Sequence, residues 1–166
     1  MKKLISVLLI ALAIFIPSCK STSMQNILSY ESKSYTAEFS VSSGDDTTLV
    51  SLIKDGETYT FVVDGKYTFL YNGEKWSISY DGLTVPLSGN AAKRSVPSKL
   101  MAALSQNAYN GWNISEESAG GTALYICECE STGVVLYIDA ATRLPLKITW
   151  DDVECNVIRF EISNRQ

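Results

Sequence analysis

Residues 67–87 read Tyr-Thr-Phe-Leu-Tyr-Asn-Gly-Glu-Lys-Trp-Ser-Ile-Ser-Tyr-Asp-Gly-Leu-Thr-Val-Pro-Leu. Apolar and polar residues alternate with a period of two, and the alternation is broken only at Asn72-Gly73 and Asp81-Gly82. That is the pattern of antiparallel strands with one apolar face, joined by turns whose central residues need positive φ. A two-residue turn at Asp81-Gly82 pairs Tyr80 with Leu83, Ile78 with Val85 and Trp76 with Leu87. A two-residue turn at Asn72-Gly73 pairs Tyr71 with Glu74, Phe69 with Trp76 and Tyr67 with Ile78. Each register collects the apolar residues of neighbouring strands on one face, and a one-residue slip scatters them to both.

The same grammar extends outward. Tyr35, Ala37, Phe39 and Val41 alternate with Thr36, Glu38, Ser40 and Ser42. At Asp64-Gly65 a three-residue bulged loop keeps Tyr59 and Phe61 level with Tyr67 and Phe69. Thr60, Thr68, Ser77, Ser79 and Thr84 fall on the opposite, wet face. The period changes at 88–108. Ser88 to Ser95 reads as a polar loop containing Lys93 and Arg94. Pro97 then suits a first helical turn, and Leu100, Met101 and Leu104 recur at helical spacing, predicting a helix near 97–107. Five further strands follow over 111–115, 122–130, 134–139, 145–150 and 155–162. A short N-terminal helix near Met24–Tyr30 completes the reading. The fold class is mainly β with few helices: an antiparallel meander of about eleven strands forming a half-open barrel, with helix 97–107 as its plug.

The first 21 residues, MKKLISVLLIALAIFIPSCKS, carry an export signal. Lys2 and Lys3 are the positive region, and Leu4–Ile16 is an apolar run too short to cross a bilayer. Ile16-Pro17-Ser18-Cys19 resembles the bacterial lipobox, in which Cys is acylated and becomes the first mature residue. The expected organisation is a signal peptide over 1–18, an acylated Cys19 with a tether to residue 33, and one domain over 34–166. The membrane is then a partner through the N-terminal lipid. The expected address is exported and lipid-anchored, in the cell membrane or outer membrane, facing the periplasm or exterior. Cleavage leaves 148 residues and removes two of the 14 basic side chains against 18 acidic ones, so the net charge moves from -4 to -6.

The strand order, with a helix after the sixth strand, resembles the LolA/LolB lipoprotein-carrier superfamily. The most specific stretches are Val135-Leu-Tyr-Ile-Asp-Ala-Ala-Thr-Arg-Leu-Pro-Leu-Lys-Ile148 and Val157-Ile-Arg-Phe-Glu-Ile162. They are similar to that family's Asp-x-x-Thr-x-x-Pro hairpin and its closing strand. Asp139 and Thr142 can cap the turn, and Pro145 can open the next strand. The resemblance implies a half-open barrel holding acyl chains on a concave apolar face. The chain differs from the pattern in its weak N-terminal helix and single clear plug helix.

Chemistry is narrowed by what the chain lacks. With no histidine, imidazole acid–base catalysis and histidine metal sites are excluded. The acidic balance argues against nucleic acid. Glu128 and Glu130 share a strand face with the spacing of a glycosidase pair, but solvated strand edges account for them, and no catalytic residue, metal or cofactor is expected. Cys127 and Cys129 share a strand face and Cys155 lies about three strands from Cys129, which favours buried free thiols over a disulfide. One helix cannot cover a sheet of this size, so the aromatic face is expected to line a groove. The candidate ligand-binding residues are Phe39, Tyr59, Phe61, Tyr67, Phe69, Tyr71, Trp76, Ile78, Tyr80, Leu100 and Leu104. The leading function is non-catalytic binding of a lipid or other hydrophobic ligand. The alternative is a lipoprotein that docks an envelope protein and has a closed core without ligand.

Overall fold

A computed structural model describes residues 27, 28, 30, 32–105 and 111–163. Eleven strands form one antiparallel sheet: β1 (Tyr35–Ser43), β2 (Asp46–Asp55), β3 (Thr58–Val63), β4 (Tyr67–Tyr71), β5 (Trp76–Tyr80), β6 (Leu83–Leu87), β7 (Trp112–Ala119), β8 (Thr122–Cys129), β9 (Val134–Asp139), β10 (Pro145–Trp150) and β11 (Val153–Ile162). Helices α1 (Gly89–Arg94) and α2 (Val96–Leu104) lie between β6 and β7. In space the order is β6-β5-β4-β3-β2-β1-β11-β10-β9-β8-β7, so the sheet is not closed. The chain starts at the middle of the sheet, walks to one edge, crosses through the helices to the other edge, and returns to lie beside its own first strand.

The turn chemistry sets most registers as expected. Tyr80 pairs with Leu83, Ile78 with Val85 and Trp76 with Leu87, with Asp81 at φ 48° and Gly82 at φ 79°. Phe61 pairs with Phe69 and Val63 with Tyr67 across the three-residue loop Asp64–Lys66. The Asn72-Gly73 hairpin differs: Tyr71 pairs with Trp76 and Phe69 with Ile78. The Asn72 carboxamide accepts from the backbone N–H groups of Glu74 (3.3 Å) and Lys75 (2.9 Å), and this side-chain turn lengthens the loop by two residues. A shift of two keeps every side chain on its expected face. In the β9–β10 hairpin, Asp139 Oδ1 accepts from the N–H groups of Ala141 (3.0 Å) and Thr142 (2.6 Å) and from the Thr142 hydroxyl (2.8 Å). The Thr142 backbone bond first, then its hydroxyl, holds the Asp139 carboxyl below its ordinary range.

Residues 88–95 are not wholly loop. Ala91, Ala92, Lys93 and Arg94 are good helix formers, and α1 buries Ala92. Ser95 then caps α2, its Oγ accepting from Ser98 N–H at 3.3 Å, with Pro97 in the first turn. The expected helix end at Asn107 lies outside the described residues; α2 itself ends at Leu104.

The core lies on the concave face. Tyr35, Ala37, Phe39 and Val41 of β1, Val50 and Leu52 of β2, and Tyr59 and Phe61 of β3 are buried with Val134, Leu136, Ile138 and Ile148 from the other half of the sheet. Leu100, Ala103 and Leu104 of α2 plug this face, together with Ile27, Leu28 and Tyr30. The stretch expected to be tether up to residue 33 therefore contributes to the packed domain. Tyr30 meets Tyr35 and Phe160 with ring centroids 5.7 and 5.0 Å apart. An Ile-Leu-x-Tyr burst is too short to show a period, which is why its packing is hidden in the sequence.

Phe39 is fully buried on the one strand paired on both sides by β2 and β11. Phe39→Ala is expected to cost about 3–5 kcal/mol in urea unfolding. Ile53→Ala, on the exposed convex face of β2, should stay within about 0.5 kcal/mol.

Candidate functional site

The two ends of the sheet are chemically unlike. At the Tyr35 end, Lys54 is 4% exposed. Its ammonium donates to the Lys33 carbonyl at 3.1 Å and lies 5.7 Å from the ring centres of both Tyr35 and Tyr59. Arg143, at φ 61° in the β9–β10 turn, closes the neighbouring strands by placing its guanidinium 4.7 Å from the Tyr125 ring centre. This end is sealed by cation–aromatic packing.

At the opposite end, where the β1–β2, β3–β4 and β10–β11 turns gather, the concave face stands open. A cavity of about 420 Å³ lies there, walled by Val41, Val63, Phe69, Ile78, Val96 and Val153, with Ser43, Asp46, Thr48, Tyr67, Ser95 and Pro97 completing its lining. Its size falls in the range of small-ligand clefts, and its wall is apolar with a few hydroxyls. The start of α2 forms one side. Because Ser95 caps that helix, Val96 and Pro97 turn an apolar edge towards the sheet.

The expected site residues divide by their place under the plug. Tyr67, Phe69 and Ile78 line the cavity. Phe39, Tyr59, Phe61, Leu100 and Leu104 are sealed in the core. Trp76 packs against Phe61 and Tyr71, with ring centroids 5.9 and 5.2 Å apart, and the Tyr71 hydroxyl donates to the Gly73 carbonyl at 2.7 Å. Tyr80 stacks on Tyr67 at 4.9 Å and remains 52% exposed. Beside it Leu83 and Val85 are 74% and 53% exposed. Together they make an apolar lip beyond the cavity, where no described element covers β5 and β6. Sequence reasoning missed Val41, Val63, Val96 and Val153. Val96 and Val153 sit at the start of a helix and at a turn, outside any periodic run.

The three cysteines are buried and free. Cys155 is level with Ile148, Leu136 and Cys127 in successive strands, so three strand spacings, about 14 Å, part the two thiols. Burial pushes Cys127 and Cys155 up to about 12. Burial also opposes ionisation of Cys129, but hydrogen bonds from Ser131 and Thr132 together outweigh it and lower that thiol; Ser131 Oγ is 3.3 Å from the sulfur. Among the described residues no group of three or more His, Cys, Asp or Glu side chains is placed to hold a metal. Glu130 lies just past β8 and accepts from Asn113 Nδ2 at 2.8 Å. Glu128 points from the convex side of β8, away from the cavity.

No family model matches the chain, and no curated protein matches it. Among solved structures it is similar to MucB in complex with MucA(peri), at 14% identity and TM-score 0.39, over 85% of this chain and 55% of that one. It is similar to the Pseudomonas aeruginosa MucA/MucB complex at 12% identity and TM-score 0.38, over 84% of this chain and 55% of that one. A third likeness is PNGF-II, at 8% identity and TM-score 0.42, over 81% of this chain and 28% of that one. The chain thus spans little more than half the length of the MucA/MucB chains it matches. No helix among the described residues is long and apolar enough to cross a membrane.

The thiols give a pH test. Both raised groups hold their protons in the folded state while the unfolded chain loses them near 9, so folded stability is complete below that pH and falls as pH rises towards 12. Alkaline urea titrations should show this fall, and Cys127→Ala/Cys155→Ala should flatten it. In iodoacetamide labelling of the native chain, Cys129 should react first of the three.

Proposed function

We propose that this chain is an exported lipoprotein, acylated at Cys19, whose single domain binds the apolar part of a lipid or similar ligand without turning it over. The observation that carries the reading is the cavity beside Phe69 and Ile78, open at one end of the concave face and apolar on nearly every wall. A core closed across that face would have favoured the docking alternative. Binding there draws on burial of acyl chain, about 0.8 kcal/mol per methylene. The hydroxyls of Ser43, Thr48 and Tyr67 supply polar contacts at the mouth.

The address follows from residues 1–19, which lie outside the described residues. Seven residues separate Cys19 from Ile27, so eight Cα–Cα steps give a reach of at most about 29 Å. Tyr30 packs at the Tyr35 end, and the cavity opens at the far end of β1, about 26 Å away. The tether is long enough for the domain to turn either end towards the bilayer.

Titration with a fluorescent polyene fatty acid should show saturable binding. Ile78→Arg, which puts a charge on the cavity wall, should weaken it by at least about tenfold. Leu49→Arg, on the exposed convex face, should leave it unchanged. Equal loss in both variants, or no saturable binding at all, sinks the proposal. In cells, Cys19→Ala should abolish incorporation of labelled palmitate.

A further inference from the structure

The sheet has two edges, and they are built differently. At β6, the two-residue turn at Asp81-Gly82 makes Tyr80 and Leu83 a hydrogen-bonded pair. Alternation along an antiparallel ladder then sends the backbone groups of Thr84 and Pro86 outward. Pro86 has no N–H, so this edge is short and one of its two outward donors is missing. At β7 the Gly120-Gly121 turn pairs Ala119 with Thr122, and the register runs unbroken to Trp112 and Cys129. The N–H and C=O groups of Ile114, Glu116 and Ser118 therefore point away from β8. Among the described residues no strand pairs with that side of β7.

The two edge strands carry charge of one sign, and Lys147, whose ammonium lies 5.8 Å from the Tyr137 ring centre, is already paired with Glu154. The stretches Trp112–Ala119 and Thr122–Cys129 carry Glu116, Glu117 and Glu128 and no Lys or Arg. Directly beside the edge, on the convex face, a groove of about 440 Å³ runs between Glu117 and Glu128 over Ile126 and Tyr137. The aliphatic stem of a long basic side chain fits such a floor while its charged head meets the two carboxylates. Pairing of two copies through β7 brings Glu116 and Glu117 of each near those of the other, which like-charge repulsion opposes.

We propose that the β7 edge is a docking site for an extended, basic segment of a partner protein, which adds to the sheet as a twelfth strand through Ile114, Glu116 and Ser118 and places a Lys or Arg in the groove between Glu117 and Glu128. Backbone pairing supplies the affinity and the carboxylates select the sequence. The site is on the opposite face from the apolar cavity and does not depend on it.

The test uses the full chain, a blocked octapeptide alternating Lys with Thr and Val, and the same peptide with Glu for Lys. Amide hydrogen exchange read by NMR should show the Lys peptide slowing Ile114, Glu116 and Ser118, with Ser115 and Glu117 already slow through their bonds to β8. The Glu peptide should not do so. Glu116→Pro removes an outward N–H as Pro86 does at β6, and should weaken binding about tenfold. Should that variant fail to fold, Glu117→Lys/Glu128→Lys is exposed and should reverse the preference between the two peptides. The proposal is overturned if the three amides are already slow in the free chain, if their slowing follows protein concentration without peptide, if both peptides act alike, or if the double variant keeps the Lys preference.

Discussion

The pairing of β1 with β11 holds the molecule together. Each half of the chain is a meander whose strands pair with their sequence neighbours, and such ladders form from local turns. Among the described strands only β1 and β11 pair across the halves, β1 being bonded along its length to β2 on one side and to β11 on the other. That contact spans nearly the whole chain, so its closure carries the largest loop entropy in the fold. Its side chains repay this by burial: Tyr35, Ala37, Phe39 and Val41 are each no more than 5% exposed. A bulge at Glu38/Phe39, which leaves Ile158 unpaired and exposed on β11, bends the sheet where the halves meet.

That seam also explains why the concave face is half covered. The plug is α2 with Ile27, Leu28 and Tyr30, and it sits over β1, β3 and the β8–β11 half. Strands β4 to β6 extend past it. The cavity lies at the boundary, under the first turn of α2, and the stacked pair Tyr67–Tyr80 with Leu83 and Val85 continues the apolar surface outward. Closing the sheet would need β6 to meet β7, and Pro86 has already removed one of the donors such a meeting uses.

Much of this was legible in the sequence because turn residues with positive φ fix both register and face. Asp81-Gly82 dictated its hairpin to the residue, and Asp64-Gly65 its three-residue loop. Asn72-Gly73 misled because an Asn side chain competes for the same backbone donors as the turn itself, and chemistry of that kind leaves no mark on the alternation. Helix α1 (Gly89–Arg94) was hidden by its brevity and polar flanks, and the plug residues 27, 28 and 30 by brevity. For the candidate site, alternation correctly assigned Phe39, Phe61, Phe69 and Ile78 to one face. It could not tell which of them the plug would bury. The cavity is made by the position of α2 along the sheet, a tertiary fact, and half its apolar wall comes from single valines at element ends.

The central claim is that the open end of the concave face holds an apolar ligand. Native mass spectrometry of the full chain, purified in mild detergent from the envelope of the cell that made it, tests this most directly. The account predicts a discrete non-covalent adduct, extractable as lipid and lost in Ile78→Arg while the covalent acyl mass at Cys19 stays. A chain that carries only its covalent acyl mass, with no exchangeable adduct under any lipid loading, would contradict it.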